Sequence, residues 1–331
     1  MRSLTKPNPE FIFDPAAQVA ALRAHRDRVH ADPANSRQIP DVGQAGHVLI
    51  ATWNIANFGQ HKRRDIDIAV IGEMISWFEI IAIQEVADNL IDFEKLIAIL
   101  PNHFSYIFND KAGNGERAAY VFDTRRVSLG AKMGEVGVVE SDRDNIHFDD
   151  VDGLPDLAFQ GYNRNPLLCS FEIENHRLLM ANCHLLYGPQ DSAQNRALSL
   201  KQRQLEAYAI SRWCDLRRKS KNAWTKNIMA VGDFNLPHAT DGDPIFAALL
   251  DRGLRLPQHE TRIPTNVSDS HDYDQIAVTP GLVQQTIDTG VFDFDAVVFG
   301  EIWNASAPSY WRTCAKYYIS DHRPLWMLLQ F

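Results

Sequence analysis

Ile228-Met229-Ala230-Val231-Gly232-Asp233-Phe234-Asn235 is a run of four apolar residues ending in a turn that carries a carboxylate and an amide. A short apolar run bounded by Gly-Asp reads as a buried strand. The turn then lies at the strand's carboxyl end, where a rigid element delivers polar groups to one rim. Similar endings recur along the chain. The strand ending in Trp53 gives Asn54, Ile80-Ile81-Ala82-Ile83 gives Gln84 and Glu85, and Leu179-Met180-Ala181 gives Asn182 and His184. Tyr273 precedes Asp274, and residues 317–320 precede Asp321-His322.

Around these strands the pattern alternates. Residues 64–78, 88–100, 192–213 and 244–250 have helical periodicity, the third with Leu198, Leu205 and Ile210 on its apolar side. Residues 104–108, 118–123, 127–139, 166–174, 177–185 and 324–331 read as further strands, and the acidic stretch 141–160 as a loop. Strands outnumber helices and several follow one another directly. This predicts sheets packed on each other with helices outside, an α+β arrangement, rather than a doubly wound parallel sheet. Asp14-Pro15 followed by residues 16–30 predicts an N-capped helix, and residues 32–46 a Pro/Gly-containing link. Residues 1–46 are therefore expected to be an arm appended to a main domain over residues 47–331.

Composition sets limits. Of 331 residues 45% are hydrophobic, enough for a sizeable core, and the formal net charge is −9. Proteins that grip nucleic acid by bulk electrostatics are usually basic, so any contact with a polyanion needs a local basic rim. Cys169, Cys183, Cys214 and Cys314 form no CxxC pair and read as buried reduced thiols. The polar, Pro-containing residues 1–13 lack the apolar core of a signal peptide, and no apolar run approaches a bilayer's thickness. The expectation is a cytoplasmic protein with no membrane partner and no obligate protein partner.

The polar strand ends fit one chemistry. Hydrolysing a phosphoester calls for a hard cation, a group that orients or deprotonates water, and a donor near the leaving oxygen. Glu85, Asp321, Asn54, Asp233 and Asn235 offer oxygen ligands suited to Mg²⁺, with Mn²⁺ or Ca²⁺ as substitutes. No Cys/His cluster or HExxH is present, which disfavours zinc. Singly, each residue has a structural explanation: Glu85 can cap a helix, and Asp233 can close an Asx turn. Their shared placement is what points to a site.

Thr52-Trp53-Asn54-Ile55, Ile83-Gln84-Glu85-Val86, Gly232-Asp233-Phe234-Asn235 and Ser320-Asp321-His322-Arg323-Pro324 resemble, in order, the signature segments of the endonuclease/exonuclease/phosphatase superfamily. Glu116-Arg117, Arg164-Asn165-Pro166 and Asn182-Cys183-His184 extend the resemblance to its deoxyribonuclease-I-like branch, over residues 47–331. The resemblance implies a four-layer α/β/β/α sandwich of two mainly antiparallel sheets. It implies that Glu85 and Asn54 hold the metal with Asp321 beside them, and that Asp233 and Asn235 orient water and phosphate. His322 would contact the phosphate with Asp274 as its partner, His184 would be the second histidine with Glu116 as its partner, and Arg164 would contact phosphate. Two positions depart from deoxyribonuclease I. Ala87 stands where an arginine enters the minor groove, and Asn114 where a tyrosine stacks on the sugar.

The expected activity is hydrolysis of P–O bonds by in-line attack of water, with nucleic acid as substrate, DNA before RNA. Three basic clusters favour this: residues 61–64; Arg196, Lys201 and Arg203; and Arg217, Arg218, Lys219, Lys221 and Lys226. Phe58, Trp224 and Trp311 are candidate base-stacking residues. The competing readings are a lipid or inositol phosphate, a small nucleotide or cofactor diester, and a binding module without catalysis.

Overall fold

Two parallel strand pairs organise the molecule. The computed structural model describes residues 4–27, 39–40, 45–148, 154–257, 263–303 and 308–331. In chain order the strands are β1 (His47–Phe58), β2 (Ile80–Ala87), β3 (Phe104–Phe108), β4 (Glu116–Asp123), β5 (Ser128–Glu135), β6 (Leu167–Ile173), β7 (His176–His184), β8 (Ile228–Asp233), β9 (Asp274–Val278), β10 (Thr286–Val291) and β11 (Leu325–Gln330). They form a six-stranded sheet, β10-β11-β1-β2-β4-β3, and a five-stranded sheet, β5-β6-β7-β8-β9. Each sheet has one parallel pair, β1/β2 and β7/β8, and its other pairs are antiparallel.

A parallel pair needs a crossover. The first sheet uses α2 (Asp65–Ile75), and the second uses the long α5 (Ala193–Lys219), N-capped by Ser192, whose side chain accepts from the Asn195 N–H. Parallel strands end at the same edge, so Asn54 and Glu85 lie toward the same end of β1 and β2, as His184 and Asp233 end β7 and β8. Antiparallel neighbours start at that edge. Asp274 opens β9 opposite Asp233, and Glu116 opens β4 opposite Ala87 at the end of β2.

Packing follows the strand alternation. In β1, Val48 and Ile50 join the core between the sheets, with Ile80, Met180, Met229 and Ile276. Leu49, Ala51 and Trp53 face the other way, onto Ile68, Ile71 and Met74 of α2, and Phe93 and Leu96 of α3 (Ile91–Ile99). In β7, Leu179 and Ala181 pack with Leu205 and Ile210 of α5 and Ile245 and Leu249 of α6 (Pro244–Leu250). α4 (Glu140–Arg143) is a single turn in the stretch expected to be a loop, of which residues 149–153 lie outside the described residues. The layering is the expected helix/sheet/sheet/helix sandwich.

Three expectations need adjustment. α1 spans Pro15–Arg26; residues 28–30 of the expected helix and most of the expected 32–46 link lie outside the described residues. Asp321 and His322 do not follow a strand. They follow a π-helical turn, Ala315–Ile319, and precede β11. Such turns recur at functional sites because they re-aim the residues after them. Strand β10 was not foreseen: three of its six residues are polar and one is Gly290, so it lacks an apolar run. The four cysteines are buried and free, as expected. Among the described residues no helix is long and apolar enough to cross a membrane.

Candidate active site

Gly232 fixes where Asp233 begins. Its φ is +134°, and a Cβ there would overlap the Cys183 backbone, so a glycine is required where β8 meets the end of β7. Asp233 is buried, and both its oxygens are engaged. Oδ1 accepts the Asn235 backbone N–H at 2.7 Å, and Oδ2 accepts Asn54 Nδ2 at 2.8 Å. Asn235 Nδ2 in turn donates to the Leu185 carbonyl at 2.8 Å.

Two histidines flank this aspartate, each backed by its own carboxylate. His184 Nε2 lies 3.6 Å from Asp233 Oδ2, and its Nδ1 lies 2.8 Å from Glu116 Oε1. His322 Nε2 lies 3.9 Å from the same Oδ2, and its Nδ1 lies 2.8 Å from Asp274 Oδ2. Burial disfavours a His322 cation, but Asp274 and Asp233 outweigh it and raise its pKa. Burial raises Asp274 as well, against the pull of His322. His184 is also raised: burial and Arg164 oppose its charge, while Glu116 and Asp233 favour it. Burial would raise Glu116, yet His184 and Arg164 draw it down to about 2.

Arg164 is built into this frame. It ion-pairs Glu116 through Nη1 and donates to the His184 carbonyl at 2.8 Å and the Leu185 carbonyl at 2.9 Å. A residue expected to contact phosphate is thus buried and braces the strand that carries His184.

Across the cleft, Glu85 sits at φ +62°, a left-handed conformation that a non-glycine residue adopts at a cost of about 1–3 kcal/mol. Oε1 accepts Asn54 Nδ2 at 3.1 Å, and Oε2 accepts the Asn57 N–H at 2.7 Å. Asn54 therefore bridges Glu85 and Asp233, while its own Oδ1 is buried with no hydrogen-bond partner. An orphaned buried amide oxygen beside a carboxylate fits a hard divalent cation. Asp321 is placed differently. Its Oδ2 is held by Lys316 Nζ at 2.6 Å; burial would raise this acid, and Lys316 and His322 lower it. Ligand atoms that lie within 4.8 Å of one another come from Glu85, Glu116 and His184, and from Asp233, Asp274 and His322.

The basic clusters are mostly tied up internally. Arg63 is fully buried and donates to the Ala56, Tyr318 and Ile319 carbonyls at 2.6, 3.2 and 3.0 Å. Arg64 pairs with Asp67, Lys201 is buried against the Phe148 carbonyl, and Arg203 holds the Leu186, Tyr187 and Asn235 carbonyls. Arg218 and Lys219 pair with Asp215 at the end of α5, which leads to the start of β8, the edge away from Asp233. Phe58 and Trp311 are core residues, and Trp224 lies beneath Arg177. Sequence reading missed Lys316 as the partner of Asp321, because nothing local marks a lysine five residues upstream.

No protein-family profile matches the chain, and no curated protein matches it in sequence. Solved structures do match. An endonuclease/exonuclease/phosphatase family protein from Bacteroides thetaiotaomicron superposes with a TM-score of 0.54 at 18% identity, covering 87% of this chain and 96% of that one. A mannosyl-6-phosphatase from the same organism gives 0.52 at 17% identity, over 86% of this chain and all (100%) of that one. An AP endonuclease from Archaeoglobus fulgidus gives 0.51 at 13% identity, with 86% and 100% covered.

Proposed function

We propose that this chain, which has the fold of the endonuclease/exonuclease/phosphatase proteins, is a metal-dependent phosphoester hydrolase that uses water as nucleophile. The observation that carries the reading is the pair of histidine–carboxylate couples closing on one aspartate, at 3.6 and 3.9 Å. Two imidazolium groups form a cationic clamp for phosphoryl oxygens, and Asp233 between them is placed to orient a water and accept its proton. Asn235 steadies Asp233 through its backbone N–H. His322, held cationic by Asp274, stabilises charge on the phosphoryl group, and His184 supplies a proton to the leaving oxygen.

Asn54 and Glu85 are the residues that would hold the cation, which we assign as Mg²⁺ with Mn²⁺ or Ca²⁺ as substitutes. When bound, such an ion draws charge from a phosphoryl oxygen. Asp321 joins them only where Lys316 releases it. Arg164 acts through Glu116 and His184 rather than on the substrate.

The substrate class best supported is a small phosphoester. Most of the cations that would have marked a nucleic-acid track are buried or paired within the protein. A nucleic-acid substrate is the second reading. Tyr187, 48% exposed and three residues beyond His184, supports it as a surface on which a base can stack.

A panel of bis-p-nitrophenyl phosphate, p-nitrophenyl phosphate, sugar monophosphates, a single-stranded oligonucleotide and plasmid, with Mg²⁺ and then EDTA, tests both levels. Small esters should be cleaved fastest, and EDTA should stop cleavage. Faster plasmid nicking would reverse the substrate order. Silence on every ester with Mg²⁺ and Mn²⁺ would refute catalysis and leave a binding module.

A further inference from the structure

Next to the Asp321 side of the cleft lies a cavity of about 420 Å³, within the range that accommodates a small organic ligand. It borders the site. Asp321 and Tyr273 line it, and the Tyr273 ring is 5.6 Å from the ring of His322. One wall carries two cations four residues apart, Arg312 and Lys316. Lys316 is held by Asp321, whereas Arg312 is exposed and makes no ion pair among the described residues. The nearby acids are engaged elsewhere: Asp321 pairs with Lys316, Asp269 pairs with Arg323, and Asp272 accepts the Ala239 N–H. Opposite, His271 and Tyr273 stack at 4.7 Å and 9°, a flat polar wall.

Leu4 and Thr5 line a further side. That segment is tethered twice: the Pro9 carbonyl accepts the Tyr310 hydroxyl at 2.7 Å, and the Phe11 carbonyl accepts Arg64 Nη1 at 2.7 Å.

We propose that the cavity receives the alcohol portion of the substrate, and that this portion is a compact organic group bearing a second phosphate, bound by Arg312 and Lys316. This rests on the phosphoester-hydrolase reading and narrows it to small bisphosphorylated esters. A charge-assisted hydrogen bond to one such group contributes roughly tenfold or more in affinity.

The test pairs glucose 6-phosphate with glucose 1,6-bisphosphate. Calorimetric titration into the wild type and Arg312→Ala runs beside steady-state hydrolysis of both esters with Mg²⁺. The expected result is at least tenfold tighter binding of the bisphosphate, and loss of most of that preference in Arg312→Ala. Hydrolysis of both esters with equal affinities overturns the cavity assignment and leaves the catalytic reading standing. A preference that survives Arg312→Ala unchanged overturns it too. A binding preference lost with Arg312, but with no Mg²⁺-dependent hydrolysis of any ester, supports the anion pocket and overturns the catalytic reading instead.

Discussion

The two sheets deliver their halves of the site in different states. In the five-stranded sheet Asp233 has both oxygens occupied, and its neighbour His184 is backed by Glu116 and Arg164. In the six-stranded sheet Asn54 keeps an unpartnered buried oxygen, and Glu85 holds a left-handed backbone. The first half is fully partnered, with Asn54 and Glu116 of the other sheet supplying two of its contacts; the second keeps an unpartnered oxygen. Both segments are secured the same way, by a buried arginine gripping backbone carbonyls: Arg203 below Asn235, Arg63 below Ala56 and Asn57 near the end of β1. Burial lowers both guanidinium groups, Arg63 to about 10, so each is sustained by carbonyl dipoles and more distant acids. On the proposed reading, equal rigidity serves two tasks, holding an ion on one side and moving protons on the other.

Removing the proton-handling centre should have the largest effect. Asp233→Ala is expected to lower kcat by about 10³-fold, within the usual range for a general base, with thermal melting close to wild type. Activity within tenfold of wild type would erase the division between the halves. Next are the two arginines. Arg63→Met and Arg203→Met each strip several carbonyls of their donor and should cost about 2–4 kcal/mol in denaturant unfolding. Only Arg63→Met should also weaken metal binding, since of the two it anchors the end of β1, whose Asn57 N–H holds Glu85. Equal metal affinity in the two variants would blunt the contrast.

Glu85→Gln should raise the Mg²⁺ concentration for half-maximal activity by roughly 10–100-fold, as losses around a metal site commonly do. Smallest is a shift in pH. His322 has a raised pKa, so its favourable charge is fully present below the ordinary imidazole value and lost as pH rises through the raised one. Asp274→Asn removes the largest of the acidic influences that raise it. The alkaline limb of kcat/KM should then move to lower pH by about one unit or more. A limb that does not move would mean that another group controls it.

The parts legible in the sequence were those written locally. Apolar runs ending in Asn54, Glu85 and Asp233 announce strands that deliver polar groups to one rim. Sandwich layering followed from consecutive strands. What was not legible depends on tertiary burial. Arg63, Lys201 and Arg203 look like a nucleic-acid track in one dimension, yet each is an internal donor to carbonyls. The Lys316–Asp321 pair and the π-helical turn that presents His322 leave no periodic trace. The polar β10 gives no apolar run to find.

The most direct test follows bis-p-nitrophenyl phosphate hydrolysis against free Mg²⁺ for the wild type, Glu85→Gln and Asp233→Ala together. The expected result is saturable activation that EDTA abolishes. Glu85→Gln should shift the midpoint while keeping most of the plateau, and Asp233→Ala should lose the plateau while keeping the midpoint. Hydrolysis indifferent to Mg²⁺, or one identical change in both variants, would contradict a centre in which one sheet holds the ion and the other moves the proton.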